Sequence, residues 1–174
     1  KILNDTLPQA LTLLSSDRGV EIKHQAGKGN SEATKAAYNS LEHVEVTDFI
    51  HDMAQAYQWA DLVVCRAGAL TVSEIAVLGL PAIFVPLPYA VDDHQTKNAN
   101  ALVELGAAKL LAQSELSAQS LAQQIDHINN TNQLQMMSNA CKMAGHRDAC
   151  QQVAAQCAKL AGEDSLQIEK ILAS

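Results

Sequence analysis

Hydrophobic and polar positions follow two different periods along the chain, and the shifts between them divide it into short strands and longer helices. The opening segment KILNDTLPQALTLL repeats apolar residues at helical spacing, whereas VEIKHQ alternates as a half-buried strand does. Further strands are predicted at HVEV, DLVVC, residues 81–86 and AAKLLA, with a helical segment between each pair. From about residue 131 onward the pattern predicts helix only.

Capping residues and glycines set the predicted helix boundaries. The helix of residues 70–79 ends where Gly79 and Pro81 interrupt it. The other boundary signals are Asn30 or Ser31 before EATKAAYNS, Asp92 or Asp93 and Gly106 around HQTKNANALVEL, and Ser117 before the next helix.

Strands that alternate with helices predict one α/β domain with right-handed crossovers and a doubly wound, Rossmann-like parallel sheet. We place this domain at residues 1–160, followed by a terminal helix or tail at 161–174. Ligands of such sheets bind beyond the carboxyl ends of the strands. That rule selects four loops, which we call the first to fourth corners: 26–30, 47–53, 65–71 and 86–95.

Composition and charge exclude several classes of binding partner and site. The 174 residues are 48% hydrophobic and carry a net charge of -7 without a basic run, so neither nucleic acid nor an anionic membrane is an expected partner of this surface. No apolar stretch reaches the roughly 18 residues that span a bilayer. The N-terminus does not resemble a signal peptide, and the start at Lys1 predicts a processed or excised piece. The four cysteines and six histidines lack metal-ligand spacing, so we expect reduced thiols and no metal site.

The third corner supports two interpretations. Thr71 and Glu74 fit a capping box, in which case they only start a helix. Alternatively, Gly68 and Ala69 keep the approach to the helix N-terminus open, so that a phosphate or diphosphate binds its N–H groups. Glu74 would then accept hydrogen bonds from ribose hydroxyls. Arg66 would pair either with phosphate or with a nearby carboxylate.

The fourth corner follows a buried strand and combines prolines with Asp92, Asp93, His94 and Gln95. The aspartates could be capping acids, but the His-Gln pair is harder to explain by capping. Several donors and acceptors on a stiff loop suit a hydroxyl-rich ligand. Acid–base chemistry by an Asp/His pair stays open, although no Ser or Cys nucleophile accompanies it.

The segment CRAGALTVSEIAVLGLPAIFVPLPYAVDDHQTKNANALVELGAA resembles the sugar-nucleotide motif of a bacterial transferase family. Members of this family move N-acetylglucosamine from UDP-N-acetylglucosamine (UDP-GlcNAc) onto the undecaprenyl-linked lipid I, giving lipid II for peptidoglycan. The likeness extends from Lys1 to about residue 160, and the run from Arg66 through Pro81 with a downstream His-Gln pair is its specific core. It implies the C-terminal, donor-binding half of an inverting, two-domain GT-B glycosyltransferase.

The resemblance also implies a role for each part of the site. The backbone at Ile50 would hold uracil, and Glu74 the ribose hydroxyls. The remaining implied roles are diphosphate binding at Ala69, Leu70 and Thr71, sugar-hydroxyl binding at His94 and Gln95, and support from Arg66 and Gly68.

The chain departs from the family pattern before Lys1, where a strand, a glycine-rich loop with a serine and the whole N-terminal domain are expected. That domain would supply the lipid I surface, the membrane contact on the cytoplasmic side of the inner membrane, and the catalytic base, which therefore stays unassigned. We expect the piece alone to be inactive and to need no cofactor. The alternatives are a UDP-GlcNAc 2-epimerase-like enzyme, a non-catalytic subunit of a split transferase, or a structural half with an incomplete site.

Overall fold

The computed structural model describes residues 1–14, 19–39, 41–88, 93–130 and 132–144. Helices and strands alternate along the chain as the hydrophobic pattern predicts. In chain order the elements are α1 (Ile2–Thr12), β1 (Ile22–Gln25), α2 (Ser31–Ala37), β2 (Val44–Thr47), α3 (Met53–Trp59), β3 (Val63–Cys65), α4 (Ala69–Leu78), β4 (Ala82–Phe84), α5 (His94–Val103), β5 (Ala108–Leu110), α6 (Ala118–Asn130) and α7 (Gln133–Ala144).

All described strand pairs are parallel, as the crossover helices require. The strands form two sheets instead of one continuous sheet, a β1–β2 pair and a three-stranded sheet in the order β3–β4–β5. Within the described residues, β1 and β3 each pair along one edge only. The predicted parallel α/β class is confirmed. The sheet predicted as one is observed as two, because in the described part of the chain β1 and β2 do not pair with β3, β4 or β5.

The central strand β4 shows how the three-stranded sheet is covered on both faces. Because side chains alternate along a strand, Ala82 and Phe84 pack into one cluster with α4, α5 and α7, whereas Ile83 and Val85 pack into another with α1 and α6. All four side chains are completely buried. Helices on both faces of a parallel sheet define the doubly wound arrangement.

Helix α1 connects the two sheets. Its leucines pack with Ile83 and Val85 of the three-stranded sheet, while the Asn4 amide donates to the Ala26 carbonyl at the end of β1, at 2.8 Å. Helix α1 therefore contacts both sheets.

Two helix boundaries are as predicted. Gly79 closes α4 in the left-handed conformation, with φ of 68°, and Ser138 of α7 donates to its carbonyl at 2.8 Å. Ser117 opens α6, since its hydroxyl accepts a hydrogen bond from the Ser120 N–H at 3.0 Å. Asn30 and Asp93 occupy N-cap positions, but neither side chain caps its helix, and Asp92 lies outside the described residues.

Cys65 and Cys141 are free thiols, and burial raises the pKa of Cys65 to about 12. The predictions for the other two cysteines and for the tail at 161–174 fall outside the described residues. Among the described helices, none combines the length and the apolar character that crossing a membrane requires.

Candidate functional site

The first and second corners are held together by one aspartate. Asp48, just after β2, accepts hydrogen bonds from the backbone N–H groups of Gly29 at 2.9 Å and Ser31 at 3.2 Å. These bonds hold the pKa of Asp48 below its usual value. Asp48 therefore does the capping at α2 that the sequence pattern had assigned to Asn30 or Ser31. These N–H donors of the first corner are therefore already hydrogen-bonded within the protein.

Ile50, predicted to hold the base, lies in the second corner beside a cavity of about 200 Å³ between the two-stranded sheet and the start of α3. Its N–H group donates to the Gln25 side-chain oxygen at 2.9 Å. The neighbouring Phe49 side chain is 55% exposed. The structure thus gives the Ile50 donor a partner, the Gln25 amide, that the sequence pattern did not indicate.

Of the two interpretations of the third corner, the capping box is wrong. Helix α4 begins at Ala69, two residues earlier than Thr71, and its N-cap is Gly68, which has no side chain to cap with. The first intrahelical bond runs from the Val72 N–H to the Gly68 carbonyl at 2.9 Å. The N–H groups of Ala69, Leu70 and Thr71 precede that bond, and such groups at the positive end of a helix attract anions.

The backbone conformation at position 68 does not require glycine, since the φ of Gly68 is -63°. A Cβ atom at this position would lie 3.8 Å from the Thr71 hydroxyl, an ordinary contact. Because glycine has no side chain, Gly68 leaves the start of α4 uncovered. Leu70 is 74% exposed, which is consistent with an open corner.

Glu74 lies in the second turn of α4 and is half-buried. Tyr57 of α3 hydrogen-bonds it, and burial, followed by the Cys65 and Glu74 interactions, raises the pKa of Tyr57 to about 12. This tyrosine connects the helix after the second corner to the predicted ribose ligand. Sequence analysis did not indicate Tyr57, because a helical tyrosine next to apolar residues fits a core position equally well.

Among the described residues Arg66 forms no ion pair with a carboxylate, one of the two partners predicted for it, and the phosphate partner stays a prediction. Its guanidinium donates to the carbonyls of Val85 at 2.8 Å and Pro86 at 3.0 Å, and to the Gln113 side-chain oxygen at 2.7 Å. Burial lowers the pKa of Arg66, but an arginine stays protonated in proteins. Arg66 therefore joins the third corner to the fourth and to the loop between β5 and α6.

At the fourth corner, His94 is the exposed first residue of α5. The Gln95 side-chain oxygen accepts a hydrogen bond from the Leu87 N–H at 3.0 Å. Asn98, one turn further along, donates to the Ala67 carbonyl at 3.2 Å. The predicted sugar-binding pair thus sits on a helix that is tied to the third corner.

These hydrogen bonds link the first corner to the second and the third corner to the fourth. Sequence reasoning found the corners but missed the residues that connect them, because their partners are distant in sequence. The connecting residues are Gln25, Asp48, Tyr57, Asn98 and Gln113.

A parallel α/β fold with an uncapped helix N-terminus among polar loops is typical of a Rossmann-like nucleotide-binding domain. The chain matches the glycosyltransferase family 28 C-terminal domain over residues 1–153 and belongs to that family. The family resemblance drawn from the sequence motifs is confirmed.

Curated relatives carry the name UDP-N-acetylglucosamine–N-acetylmuramyl-(pentapeptide) pyrophosphoryl-undecaprenol N-acetylglucosamine transferase. The protein from Shewanella sediminis is 46% identical over 94% of this chain and 46% of its own length. The one from Aeromonas hydrophila is 49% identical over 92% of this chain and 45% of its own length. The chain thus spans slightly less than half the length of these relatives.

A solved structure of a relative supports this assignment, and a second one shares the fold. The crystal structure of Acinetobacter baumannii MurG is 44% identical with a TM-score of 0.81, covering 87% of this chain and 46% of that one. Glycosyltransferase VinC, solved in complex with dTDP, is 15% identical with a TM-score of 0.62 over 83% of this chain and 33% of that one. At this identity VinC shows a shared fold alone.

Proposed function

We propose that this chain is the donor-binding half of an inverting glycosyltransferase that transfers N-acetylglucosamine from UDP-GlcNAc to lipid I, forming lipid II. The observation that carries the proposal is the uncapped start of α4, which lies along the chain between the Ile50 loop and the polar fourth corner. Relatives at 46% and 49% identity are named for this transfer. A nucleotide sugar has the matching order of a base, a diphosphate and a sugar.

The diphosphate would bind the N–H groups of Ala69, Leu70 and Thr71. In the reaction, a deprotonated acceptor hydroxyl attacks the anomeric carbon, the bond to the diphosphate oxygen breaks, and UDP leaves. Negative charge builds on the diphosphate as it departs. N–H donors and a helix dipole already directed at that charge stabilise it without a metal ion.

The base would bind in the cavity beside Ile50. The Gln25 side-chain oxygen accepts from the Ile50 N–H at 2.9 Å, so a base carbonyl that accepts from the same N–H would replace one amide-type oxygen by another. The hydrogen bond is exchanged instead of lost, which keeps the cost of opening the site low.

The ribose and the sugar would bind on either side of the diphosphate. Glu74, held by Tyr57, would accept from the ribose hydroxyls. His94 and Gln95 would contact the sugar hydroxyls. Because the Gln95 oxygen accepts from Leu87, its NH₂ group is the end that would donate to the sugar.

The lipid I acceptor, the membrane contact and the catalytic base belong in this proposal to a further domain outside the 174 residues. The whole enzyme would then act as a peripheral protein on the cytoplasmic side of the inner membrane. This chain would contribute donor recognition.

Calorimetric titration of the chain with UDP, UDP-GlcNAc and GDP tests the proposal. We expect both uridine ligands to bind more tightly than GDP, and Glu74→Ala to weaken their binding by about 1 to 3 kcal/mol, the usual cost of stranding hydrogen-bond partners. Glu104→Ala is the control, because Glu104 is exposed at the opposite end of α5. Equal binding of GDP, or no effect of Glu74→Ala, would contradict the proposal. Detectable transfer to lipid I by this chain alone would refute its dependence on a further domain.

A further inference from the structure

The Arg66–Gln113 pair lies between loops that are far apart in sequence. Arg66 follows β3, and Gln113 lies in the loop that joins β5 to α6. The guanidinium contacts the Gln113 oxygen at 2.7 Å, the shortest of its three hydrogen bonds. Gln113 thereby fixes the end of a side chain that also holds two backbone carbonyls at the fourth corner.

Those two carbonyls determine where the fourth corner begins. Val85 makes the last sheet-type bond, from its N–H to the Cys65 carbonyl at 2.9 Å. Pro86 has no N–H to donate, and Arg66 holds the carbonyls of both residues. The next N–H, that of Leu87, donates to Gln95. The orientation of Gln95 therefore depends on a turn that Arg66 holds in place.

The chemistry of Gln113 has a second consequence, which concerns charge. An amide oxygen accepts a hydrogen bond without bringing a negative charge, whereas a carboxylate at the same place would neutralise the guanidinium. Across the part of the chain that the structure describes, no carboxylate lies within ion-pair distance of the Arg66 guanidinium. The positive charge of Arg66 is thus not cancelled by an ion-paired carboxylate among these residues.

We propose that Gln113 is a positioning residue of the donor site that acts through Arg66. By orienting the guanidinium it fixes the fourth corner for the sugar end of a nucleoside diphosphate sugar, and by being neutral it leaves the Arg66 charge to attract the diphosphate. The inference rests on the proposed donor-binding function. It adds the β5–α6 loop, which lies outside the four corners, to the residues that determine affinity.

Two substitutions separate the two effects. Gln113→Ala removes the orientation but keeps the Arg66 charge, so we expect UDP-GlcNAc affinity to fall about 5- to 10-fold, as for the loss of one net hydrogen bond, while UDP affinity changes less than about 2-fold. Gln113→Glu keeps an acceptor oxygen but neutralises the charge. Both ligands should then weaken by a similar factor, about 5-fold or more at low salt, and less at high salt.

Isothermal titration of the 174-residue chain with UDP and UDP-GlcNAc at low and high salt gives these ratios, with thermal unfolding recorded for each variant. Gln135→Ala is the matched control, because Gln135 is exposed on α7 and hydrogen-bonds Asn139 at 3.0 Å. Wild-type affinities in both Gln113 variants would overturn the inference, as would equal loss of both ligands in Gln113→Ala. If the unaltered chain binds neither ligand, the proposed function itself fails, and this inference fails with it.

Discussion

The imidazole Nδ1 of His24 lies 2.7 Å from the Tyr38 hydroxyl oxygen, and both side chains are buried. On the other side of the ring, Nε2 lies 3.1 Å from the Asn4 amide oxygen. The Asn4 nitrogen donates to Ala26, so its oxygen faces the imidazole and Nε2 must carry the proton. Nδ1 then accepts from the tyrosine, and the histidine is neutral.

This network predicts a loss of stability in mild acid. Burial lowers the pKa of His24 below 6.5, so between that lowered value and 6.5 the unfolded chain binds a proton that the folded chain does not. The contribution of His24 to the free energy of unfolding is therefore fully present above pH 6.5. It is lost as the pH decreases below 6.5, by at most about 1.4 kcal/mol for each unit by which the pKa is lowered. Urea unfolding at pH 7.5 and 5.5 measures the difference.

The control for this pH effect is a pair of substitutions. In His24→Gln the difference between the two pH values should shrink, whereas in His51→Gln, which changes an exposed histidine, it should stay as in the unaltered chain. An undiminished pH dependence in His24→Gln would show that other groups cause it.

The start of α4 predicts a contrast between two hydroxyl residues. Thr71 does not cap α4, so Thr71→Ala should change the free energy of unfolding by less than about 0.5 kcal/mol. Ser117 caps α6 through the Ser120 N–H, so Ser117→Ala should cost about 1 kcal/mol. Denaturant midpoints of the two variants provide the test. A larger loss in Thr71→Ala would restore the capping-box interpretation.

Gly79→Ala should destabilise the chain by about 1 to 2 kcal/mol, because the left-handed φ of 68° disfavours a side chain. The new Cβ would also collide with the Lys142 side chain of α7. Adding Lys142→Ala should recover the part due to collision but not the part due to φ. Gly19→Ala, where nothing lies within 4 Å of the added atom, serves as the control, and an equal loss there would contradict the argument.

Tyr57→Phe should weaken UDP binding about 3- to 10-fold with little change in stability. The phenol, with its pKa raised to about 12, stays protonated at neutral pH and donates to Glu74, and one such hydrogen bond contributes about 1 kcal/mol. Tyr38→Phe should instead lower the stability and leave UDP binding little changed, since Tyr38 contacts His24. Titration calorimetry and thermal unfolding of both variants distinguish the two outcomes. Unchanged UDP affinity in Tyr57→Phe would exclude a positioning role for its hydroxyl.

The order of the elements could be predicted from sequence because its signals are local. Gly79 marks the end of α4 by its own conformational freedom, and Ser117 marks the start of α6 by a bond to a residue three positions away. The capping-box interpretation at the start of α4 failed for the same reason. The Thr71 to Glu74 spacing matches a capping box, but the spacing does not tell whether the helix has already begun, here at Ala69.

The connections between the corners could not be predicted, since they depend on which loops the folded sheets bring together. Arg66 meets Gln113 across 47 positions, and Gly29 meets Asp48 across 19. An arginine after a strand is equally compatible with a phosphate, a carboxylate or a carbonyl partner. Only the three-dimensional arrangement selects the carbonyls of Val85 and Pro86.

The main-chain donors at the start of α4 have a consequence for how the proposed diphosphate site could change by mutation. A side-chain contact can be lost through almost any substitution, but an N–H group disappears only when the residue becomes proline. An inhibitor whose anionic group accepts from the N–H groups of Ala69, Leu70 and Thr71 would leave few single-residue escape routes at those positions. An inhibitor that relied on Glu74 or Gln95 would leave many more.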